Sequence, residues 1–370
     1  MAQASLDTDW IRELRRALLA WFAVHQRPTP WRDNPDPYRV WVSEVMLQQT
    51  QTATVIPYFE RFIARFPTVQ ALADAPLEEV LRYWEGLGYY ARARNLHRAA
   101  QQIVQNGGRL PSTAERLCEL PGIGAYTAGA IASIAFGQPT PVVDGNVTRV
   151  LARLLWLKGD LKTHAAQKQL WQLSEQLIDP QQPGAFNQAM MELGSTVCLP
   201  AQPRCGACPV SHLCAAYQRG QPTAVPEPSK RAATVTRVDV SAIILREGQC
   251  LLARRAPDGL WGGLWEFPRA SREGRESLES VAQRAAAPLG VRIEPLQTLA
   301  SLQHAVTNSR IRLYGYLCAW ASGEAQPADA YDAVAWVVPD ALASYPLSAP
   351  QRRLARALTQ HGGQLSLQQV

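Results

Sequence analysis

The chain has 370 residues, 47% of them hydrophobic, and carries a formal net charge of +6. This length is sufficient for two domains with separate cores, and no apolar run approaches the roughly 18 residues of a membrane span. The N-terminal residues, which include Asp7 and Asp9, lack the basic and apolar order of a signal peptide. We therefore expect a cytoplasmic protein without membrane attachment, whose positive charge favours an anionic partner.

The first part of the chain has the periodicity of helices. Apolar residues recur every three or four positions, and proline or glycine separates one such run from the next. This pattern predicts a helical domain over residues 1–218, with helices at 10–24, 40–66, 77–83, 92–105, 125–136 and 147–157.

A proline-rich stretch at residues 219–233 predicts a linker. Beyond it, short alternating and β-branched runs predict strands, accompanied by two helical runs. The strands are expected at 235–245, 250–254, 311–320 and 333–338, and the helices at 278–287 and 349–359. The sequence therefore predicts a multidomain protein in which an all-α domain is followed by a smaller α/β domain at 234–370.

Four cysteines follow the helical runs in the spacing Cys-x6-Cys-x2-Cys-x5-Cys: Cys198, Cys205, Cys208 and Cys214. In a compartment that keeps thiols reduced, such a group indicates a metal site rather than disulfides. So short a loop suits four thiolates around one iron–sulfur cluster. A zinc site also accepts four cysteines but usually pairs two Cys-x2-Cys units, so the spacing favours iron–sulfur and leaves zinc as the alternative.

The run Leu-Pro-Gly-Ile-Gly at 120–124 joins two helical runs. Gly122 and Gly124 allow a tight turn and leave amide groups free at a helix N-terminus, where a phosphate can bind. A Gly-x-Gly alone is more often an ordinary turn, so this motif gains its specificity from its surroundings.

Two carboxylates have both a structural and a functional interpretation. Asp144 precedes a helical run, where an aspartate commonly caps the helix. Glu44 lies within an apolar helical run, where a single glutamate usually faces solvent. Taken alone, capping explains Asp144 as well as catalysis does, and a surface position is the better explanation of Glu44.

Several motifs occur in the order in which one family has them. They are Val-Ser-Glu-Val-Met-Leu-Gln-Gln-Thr at 42–50, Gly-Leu-Gly-Tyr-Tyr at 86–90, Leu-Pro-Gly-Ile-Gly at 120–124, Val-Asp-Gly-Asn at 143–146 and the cysteine loop. In this combination the chain resembles the MutY adenine DNA glycosylases, which belong to the helix-hairpin-helix superfamily together with endonuclease III. The resemblance is strong over residues 10–218 and weaker over 235–360.

The resemblance implies excision of adenine mispaired with 8-oxoguanine or guanine in double-stranded DNA, and we expect a monomer. It places the helix-hairpin-helix at residues 112–136 and one 4Fe–4S cluster on the four cysteines. Glu44 falls on the family's general acid and Asp144 on its second carboxylate. Asn146 matches a residue that supports the sugar and the catalytic water, and Tyr126 stands where bifunctional relatives have a Schiff-base lysine.

The chemistry of adenine release supports these roles independently. A base inside a duplex must be flipped out before an enzyme can reach it, and adenine leaves poorly unless it is protonated. Apolar surroundings raise the pKa of a carboxyl group such as Glu44, so that it keeps its proton near neutral pH. The sugar then develops oxocarbenium character, which the negative charge of Asp144 stabilises.

The distribution of lysine indicates the type of glycosylase. A glycosylase with lyase activity uses an amine to form an imine with the sugar. The chain has no lysine before Lys158. We therefore expect a monofunctional enzyme that leaves an abasic site in an unbroken strand.

The resemblance also assigns contacts with DNA. Arg27, Trp31 and Gln188 match residues around the flipped adenine, and Arg204 is a phosphate contact within the cysteine loop. The positions that enter the duplex or meet the oxidised guanine are Gln49, Thr50, Leu87 and Tyr89. Side chains that fill a vacated base stack are common in DNA-bending proteins, but ordinary packing is the alternative, for Leu87 above all.

The C-terminal domain resembles the Nudix-like domain with which MutY proteins sense 8-oxoguanine. The run Gly-Gly-Leu-Trp-Glu-Phe-Pro at 262–268 is similar to the start of a Nudix box, but Arg-Ala-Ala-Ala-Pro-Leu-Gly at 284–290 lacks the glutamates that bind Mg²⁺. We therefore expect no nucleotide hydrolysis. The lesion-sensing loop contains His304 and Thr307, but Val-Thr-Asn at 306–308 replaces the Phe-Ser-His of many relatives, which leaves the preference for 8-oxoguanine over guanine open.

Three other functions compete with this one. An endonuclease III-like glycosylase/lyase for oxidised pyrimidines shares the hairpin, the aspartate and the cluster, but it lacks a glutamate like Glu44 and has a lysine in place of Tyr126. A non-catalytic DNA-binding or redox iron–sulfur protein needs neither Glu44 nor Asp144. A Nudix pyrophosphatase needs the missing glutamates.

Overall fold

The computed structural model describes residues 6–33, 35–228, 234–257, 259–306, 308–328 and 330–365. The chain forms two compact units. The first consists of Met1–Ala73 and Arg98–Lys230, and the second of Asp74–His97 and Arg231–Val370. The second unit therefore includes a helical segment from within the region that the sequence assigns to the first domain.

Helices make up most of the chain before the linker. Several begin at a side-chain cap: Asp7, Asp36 and Thr163 each accept a hydrogen bond from the first amides of a helix. The helices are α1 Thr8–His25, α2 Pro37–Leu47, α3 Thr52–Arg65, α4 Val69–Asp74, α5 Leu77–Trp84, α6 Ala91–Gln105, α7 Ala114–Leu117, α8 Ala125–Phe136, α9 Gly145–Leu154, α10 His164–Leu177, α11 Pro183–Thr196 and α12 Ala215–Gln218. No helix in the described part of the chain is both long and apolar enough to cross a membrane.

The predicted continuous helix over 40–66 is wrong. The chain forms α2 and α3 there, and the two are separated at residues 48–51. Gln49 has a φ of 57°, in the left-handed region, which an α-helix does not accommodate. The other predicted helices agree with α1, α5, α6, α8 and α9 to within a few residues at each end. The periodicity does not predict α10 or α11, where alanine and glutamine blur the contrast between apolar and polar positions.

The core of the first unit lies between α1, α9 and α11. It includes Leu14 of α1, Val150 of α9 and Met190 of α11, each at most 2% exposed. Helix α11 approaches α9 so closely that a Cβ on Gly194 would lie 2.6 Å from the Cβ of Asn146. Only a glycine fits at that position, and the close packing brings residues of α11 to the N-terminus of α9.

Within the described residues, the second unit contains a sheet of seven strands: β1 Val235–Arg246, β2 Gln249–Arg255, β3 Trp265–Glu266, β4 Arg269–Ser271, β5 Arg292–Val306, β6 Ser309–Ser322 and β7 Tyr331–Val337. The order is β3-β2-β1-β6-β5, with β4 paired to β1 and β7 paired to β2. Strands β1 and β6 are parallel, with Val240 opposite Tyr314, and the other pairs are antiparallel.

A helix covers each face of this sheet. Helix α13, Leu278–Ala286, packs with Val240 of β1 on one face, and α14, Ala349–Leu365, packs with Ile243 of the same strand on the other. Residues 239–244 of β1 are therefore buried on both faces, which accounts for the apolar run at 242–245. The pattern does not predict β5, because many of its side chains are exposed and its alternation is weak.

Candidate active site

Glu44 lies in the last turns of α2, a helix that is buried on almost every side. All residues from 40 to 46 are buried, and Glu44 itself is 5% exposed. The surface interpretation of Glu44 is therefore wrong. A carboxyl group so far from water is costly in its charged form, and such groups often have a chemical function.

The surroundings of Glu44 favour its protonated form. Burial raises the pKa of Glu44 to about 7, and the nearby carboxylate of Asp144 adds to this shift. The hydroxyl of Tyr126, which donates to Glu44 Oε2 at 2.8 Å, and the charge of Arg32 act in the opposite direction. Burial also raises the pKa of Tyr126 well above its usual value, so that its hydroxyl remains a donor. At neutral pH Glu44 is therefore present in both protonation states.

Asp144 caps α9 and faces the same cavity as Glu44. Its Oδ1 accepts from the backbone amide of Val147 at 2.7 Å, and its Oδ2 accepts from Asn146 Nδ2 at 2.9 Å. The capping interpretation is therefore confirmed. It does not compete with a catalytic one, because the cap holds the carboxylate in a fixed orientation.

The side chain of Asn146 is held from both ends. Arg149 Nη2 donates to Asn146 Oδ1 at 2.9 Å, and Arg149 Nε donates to the carbonyl of Cys198 at 2.8 Å. The same guanidinium donates to the carbonyl of Gly194 at 2.7 Å. Since the amide oxygen of Asn146 is occupied in this way, its nitrogen points to Asp144.

Most of the residues assigned to catalysis and to the adenine line one cavity in the first unit, with a volume of about 500 Å³. This volume is in the range of sites that enclose small molecules. The sequence-predicted residues in its wall are Arg27, Trp31, Glu44, Thr50, Tyr126, Asp144, Asn146 and Gln188. Gln49, next to Thr50 in the break between α2 and α3, is not part of this wall.

The sequence motifs do not identify two charged residues of the cavity, Arg32 and Glu192. Glu192 is 2% exposed and accepts from the guanidinium groups of Arg27 and Arg32, the latter at 2.9 Å. Although burial alone would raise it, these hydrogen bonds hold the pKa of Glu192 below its usual value. Glu192 lies in an apolar run at 189–193, as Glu44 does at 41–47, but this pattern by itself predicts a surface position, so the sequence offers no signal that identifies Glu192.

The hairpin at 120–124 has the geometry of an anion site. Gly122 has a φ of 77°, a conformation that favours glycine, and α8 begins directly after Gly124. No side chain caps this helix, and a Cβ on Gly124 would meet nothing within 4 Å. The first amides of α8 therefore have the space and the orientation that a phosphate requires.

The four cysteines lie after α11 in a loop with two 3₁₀ turns, Cys205–Ala207 and Ser211–Leu213. Their side chains line one small cavity together with Arg153. Arg153 Nη1 donates to Cys198 Sγ at 3.3 Å and to the carbonyl of Leu199 at 2.7 Å. Among the residues that the structure describes, no three histidine, cysteine, aspartate or glutamate side chains are placed to hold a single metal ion.

The remaining predicted contacts belong to the second unit. Tyr89 is 48% exposed, whereas Leu87 is 6% exposed, so that the packing interpretation fits Leu87. His304 lies on β5, and its ring nitrogens have no hydrogen-bond partner among the described residues. Thr307 lies outside the described residues.

A helical unit with a glycine hairpin, a buried acid and a cysteine loop defines a class of DNA repair protein. Residues 42–176 match the family model of the HhH-GPD superfamily base excision DNA repair proteins, and residues 240–357 match that of the NUDIX domain. A solved structure described as a thermostable thymine-DNA glycosylase is 28% identical, with a TM-score of 0.53, and covers 57% of this chain and 98% of its own.

Relatives with assigned activities narrow this class. The rat adenine DNA glycosylase is 38% identical over 96% of this chain and 80% of its own length. The human adenine DNA glycosylase is 42% identical over 76% of this chain, and the match spans 63% of the human protein's length. The chain belongs to the adenine DNA glycosylases. The predicted architecture, a helical glycosylase domain followed by a Nudix-like domain, and the predicted enzyme class are confirmed.

Proposed function

We propose that the protein hydrolyses the N-glycosidic bond of adenine mispaired with 8-oxoguanine or guanine in double-stranded DNA. The observation that carries this proposal is the pair of carboxyl groups in one cavity. Glu44 has a pKa of about 7, and Asp144 is held by the start of a helix. Cleavage of a glycosidic bond commonly uses such a pair, one carboxyl group as acid and the other as carboxylate.

Glu44 acts first as an acid. A ring nitrogen of the flipped adenine accepts its proton, and the bond between C1′ and N9 breaks with its electron pair going to adenine. The carboxylate of Asp144 stabilises the positive charge that develops on the sugar. Water then adds to C1′ and gives its proton to the Glu44 carboxylate, which restores the acid. The products are free adenine and an abasic site.

The other residues of the cavity orient these groups. The hydroxyl of Tyr126 fixes the Glu44 carboxyl, and the amide of Asn146 fixes the Asp144 carboxylate. Trp31 is buried edge-on against Phe59, with ring centroids 5.2 Å apart, and contributes an aromatic wall. Such positioning accounts for much of what an active site adds to the intrinsic reactivity of its acid.

We infer a monofunctional reaction from the groups that face the sugar site. Tyr126 bonds to Glu44 where a lyase would need an amine, and no lysine is among the described residues that line the cavity. Without an amine, no imine forms with the sugar. Borohydride treatment during the reaction should therefore trap no covalent adduct with DNA. Trapping at the level of a true lyase would contradict this inference.

We also propose that the four cysteines hold one 4Fe–4S cluster. Arg153 is 3% exposed, and within the described ranges it pairs with no carboxylate. A buried cation needs a compensating negative charge, and a cluster held by four thiolates carries one. The donor set and its environment therefore fit this group. The cluster would order the loop that presents the exposed Arg204 to a phosphate, whereas Glu44 and Asp144 act on the base.

The preference for 8-oxoguanine is assigned to the Nudix-like domain. Thr307 retains a hydroxyl in the lesion-sensing loop. We expect Thr307→Val to lower the ratio of excision opposite 8-oxoguanine to excision opposite guanine while leaving the chemical step intact. If that ratio is unchanged, Thr307 does not contribute to lesion recognition.

The enzyme is expected to bind DNA as a monomer. Its mass is 40.8 kDa, and light scattering of the protein alone and of its complex with one duplex measures the stoichiometry. A complex with two chains per lesion would contradict this expectation.

Single-turnover excision tests the central proposal. The substrate is a duplex with adenine opposite 8-oxoguanine, and adenine release is measured for the wild type and for Glu44→Gln. We expect release by the wild type and none by the variant. The matched control is Glu175→Gln, an exposed position on α10 that should not affect the rate. No release by the wild type, or full release by Glu44→Gln, would contradict the proposal.

A further inference from the structure

The turn Gly-Leu-Gly-Tyr-Tyr at 86–90, here called the wedge turn, has a strained backbone in the second unit. Gly86, Gly88 and Tyr89 have φ values of 102°, 72° and 49°. Glycine adopts such values freely, but a tyrosine does so only where the surrounding structure holds it. Because the Tyr89 side chain is 48% exposed, the strain holds an aromatic ring outward rather than in a core.

Hydrogen bonds from both sides hold the carbonyl groups of the wedge turn. Trp84 Nε1 donates to the carbonyl of Gly88 at 3.1 Å. Arg92 Nη2 donates to the carbonyls of Leu87 and Gly88, each at 3.3 Å. The same guanidinium lies 5.3 Å from the centre of the Tyr89 ring. These bonds fix the shape of the turn, but they do not fix its position.

The position of the wedge turn is determined by hydrogen bonds to the C-terminal part of the second unit. Glu85, directly before the wedge turn, accepts from Arg352 of α14 with both oxygens, at 2.6 and 2.8 Å. Tyr90, the last residue of the turn, accepts from the amide of Gly86 at 3.5 Å and donates to the carbonyl of Leu347 at 3.4 Å. Both ends of the turn are therefore attached to the Nudix-like domain.

The Glu85–Arg352 pair is more than a surface ion pair. The side chains are 19% and 14% exposed, and the contact is bidentate. Arg352 also donates to the carbonyls of Leu342 and Tyr345, each at 2.6 Å. Removing one member of such a pair leaves the other charge without a partner, which costs more than the loss of an exposed pair.

The glycines of the incomplete Nudix box contact the same segment. Arg94 Nη1 donates to the carbonyl of Gly262 at 2.7 Å. A Cβ on Gly263 would lie 3.2 Å from Leu81 Cδ1 in α5. Although the metal-binding glutamates are missing, the glycines at the start of this box contact the segment that carries the wedge turn.

We propose that Glu85 and Arg352 are positioning residues, through which the Nudix-like domain holds Tyr89 ready to enter the base stack beside a mispaired adenine. This inference rests on the proposed function and deepens it. The ion pair does not touch the substrate. Its contribution is to hold the turn, and with it an exposed and strained aromatic side chain, in a fixed position, so that flipping the adenine does not have to position the turn first.

Fluorescence of 2-aminopurine tests this proposal apart from chemistry. The reporter base replaces the target adenine opposite 8-oxoguanine, and every protein carries Glu44→Gln so that no base is released. At saturating protein, the gain in fluorescence measures how far the base leaves the stack. We expect Arg352→Gln and Glu85→Gln each to lower this gain about fivefold, a size typical of coupling through positioning residues. The variant that combines both substitutions should show the same lowered fluorescence gain as either single variant, because the two residues act through one ion pair.

Arg284→Gln is the matched control. Arg284 also makes a bidentate pair in the second unit, with Glu276 at 3.2 and 2.8 Å, and donates to the carbonyl of Ser271, but it does not contact the wedge turn. Its removal should leave the fluorescence gain unchanged, whereas Tyr89→Ser should abolish it.

Two results would overturn the proposal. One is a full gain with Arg352→Gln and with Glu85→Gln. The other is an equal loss with Arg284→Gln, since that would indicate general destabilisation of the unit. Adenine release by the wild-type chain is measured separately, so failure of the proposed function is distinguishable from failure of this inference.

Discussion

The proton of Glu44 links the stability of the folded protein to the catalytic role proposed for this residue. Its pKa is about 7 in the folded protein and near 4.5 in an unconstrained chain. Burial, which raises the pKa, supplies an acid that is still protonated near neutral pH, as adenine requires of its proton donor. The same burial destabilises the folded state wherever the unfolded chain would ionise this group. The proposed catalytic role of Glu44 and the stability of the folded protein therefore place opposite demands on its burial.

Replacing Glu44 by glutamine is expected to stabilise the protein at alkaline pH. Because the folded pKa is raised, the contribution of Glu44 to stability is complete below about pH 4.5 and is lost as the pH rises to about 7. The full loss is on the order of 3 kcal/mol. Urea unfolding at pH 5 and pH 8 measures the difference between wild type and Glu44→Gln. The free energy of unfolding of the variant, relative to that of the wild type, should be higher at pH 8 than at pH 5. An equal difference at pH 5 and pH 8 would be inconsistent with a raised pKa of Glu44.

Replacing Tyr126 by phenylalanine is expected to shift the pH dependence of excision. The single-turnover rate of the wild type should fall as the pH rises through about 7, because Glu44 loses its proton. The Tyr126 hydroxyl lowers the pKa of Glu44, so its removal raises that pKa and moves the falling limb to higher pH.

Tyr38→Phe is the control for this shift. Tyr38 is a buried tyrosine whose hydroxyl donates to the carbonyl of Phe66 at 2.8 Å, outside the cavity. Loss of the Tyr38 hydroxyl should leave unchanged the pH at which the excision rate falls. If the excision rate of Tyr126→Phe falls at a lower pH than that of the wild type, the hydrogen bond from the Tyr126 hydroxyl raises the pKa of Glu44 instead of lowering it.

At the scale of the element, the first residues of helix α9 combine a helix cap with the carboxylate that is proposed to act on the sugar. Asp144 ends the preceding loop, caps the helix and faces the cavity. Its orientation depends on Asn146, the second residue of the helix, and the orientation of Asn146 depends on Arg149, three residues later. The start of the helix therefore positions the charge that is proposed to stabilise the sugar, and α11 approaches this region closely only because residue 194 is a glycine.

Two substitutions of Asp144 should separate these roles. Asp144→Asn keeps an oxygen that accepts from the amide of Val147 but removes the charge, so excision should be lost while most of the stability remains. Asp144→Ala removes both the accepting oxygen and the charge. In addition to the loss of excision, it should lower the free energy of unfolding by about 1 kcal/mol. Single-turnover excision and thermal unfolding measure the two effects.

Thr163→Ala is the comparison for the cap alone. Thr163 caps α10 by accepting from the amide of Ala166 and does not line the cavity. This variant should lose a similar amount of stability and keep its rate of excision. Full activity in Asp144→Asn would show that the charge is not needed.

The units of the whole molecule do not follow the order of the chain. Residues 74–97 lie within the helical sequence, yet they form a compact unit with the sheet. Glu78 bonds to Arg254 at 2.8 Å and Glu85 bonds to Arg352, so that ion pairs attach this segment to the Nudix-like domain. The Nudix-like domain, which lacks the metal-binding glutamates, is therefore a structural partner of a segment that is proposed to enter the DNA.

Iron content tests the cluster at the scale of the whole molecule. We expect four iron atoms per chain and a broad visible absorption, as for one 4Fe–4S cluster. Cys208→Ser should lose most of the iron, and Cys118→Ser, at an exposed position outside the loop, should retain it. Metal analysis and absorption spectra measure both. Zinc without iron in the wild type would contradict the proposal.

Local patterns predicted the elements whose own residues determine them. Helix α8 begins and ends where the apolar run and Gly137 indicate, because a left-handed glycine ends a helix whatever surrounds it. The break between α2 and α3 was missed, since Gln49 adopts its left-handed conformation without a local signal. Strand β5 was missed as well, because it is stabilised by pairing with β6 rather than by its own alternation.

The sequence by itself determined the class of the protein, the order of its domains and the identity of the proposed catalytic and adenine-contacting side chains of the cavity, because these depend on motifs with fixed local spacing. Only the tertiary structure decided that Glu44 is buried, that Glu192 joins Arg27 and Arg32 in the wall, and that residues 74–97 pack with the Nudix-like domain. The physical reason is that burial and long-range ion pairs arise between residues far apart in the chain, and no local pattern records which distant residues will exclude water from a given carboxyl group.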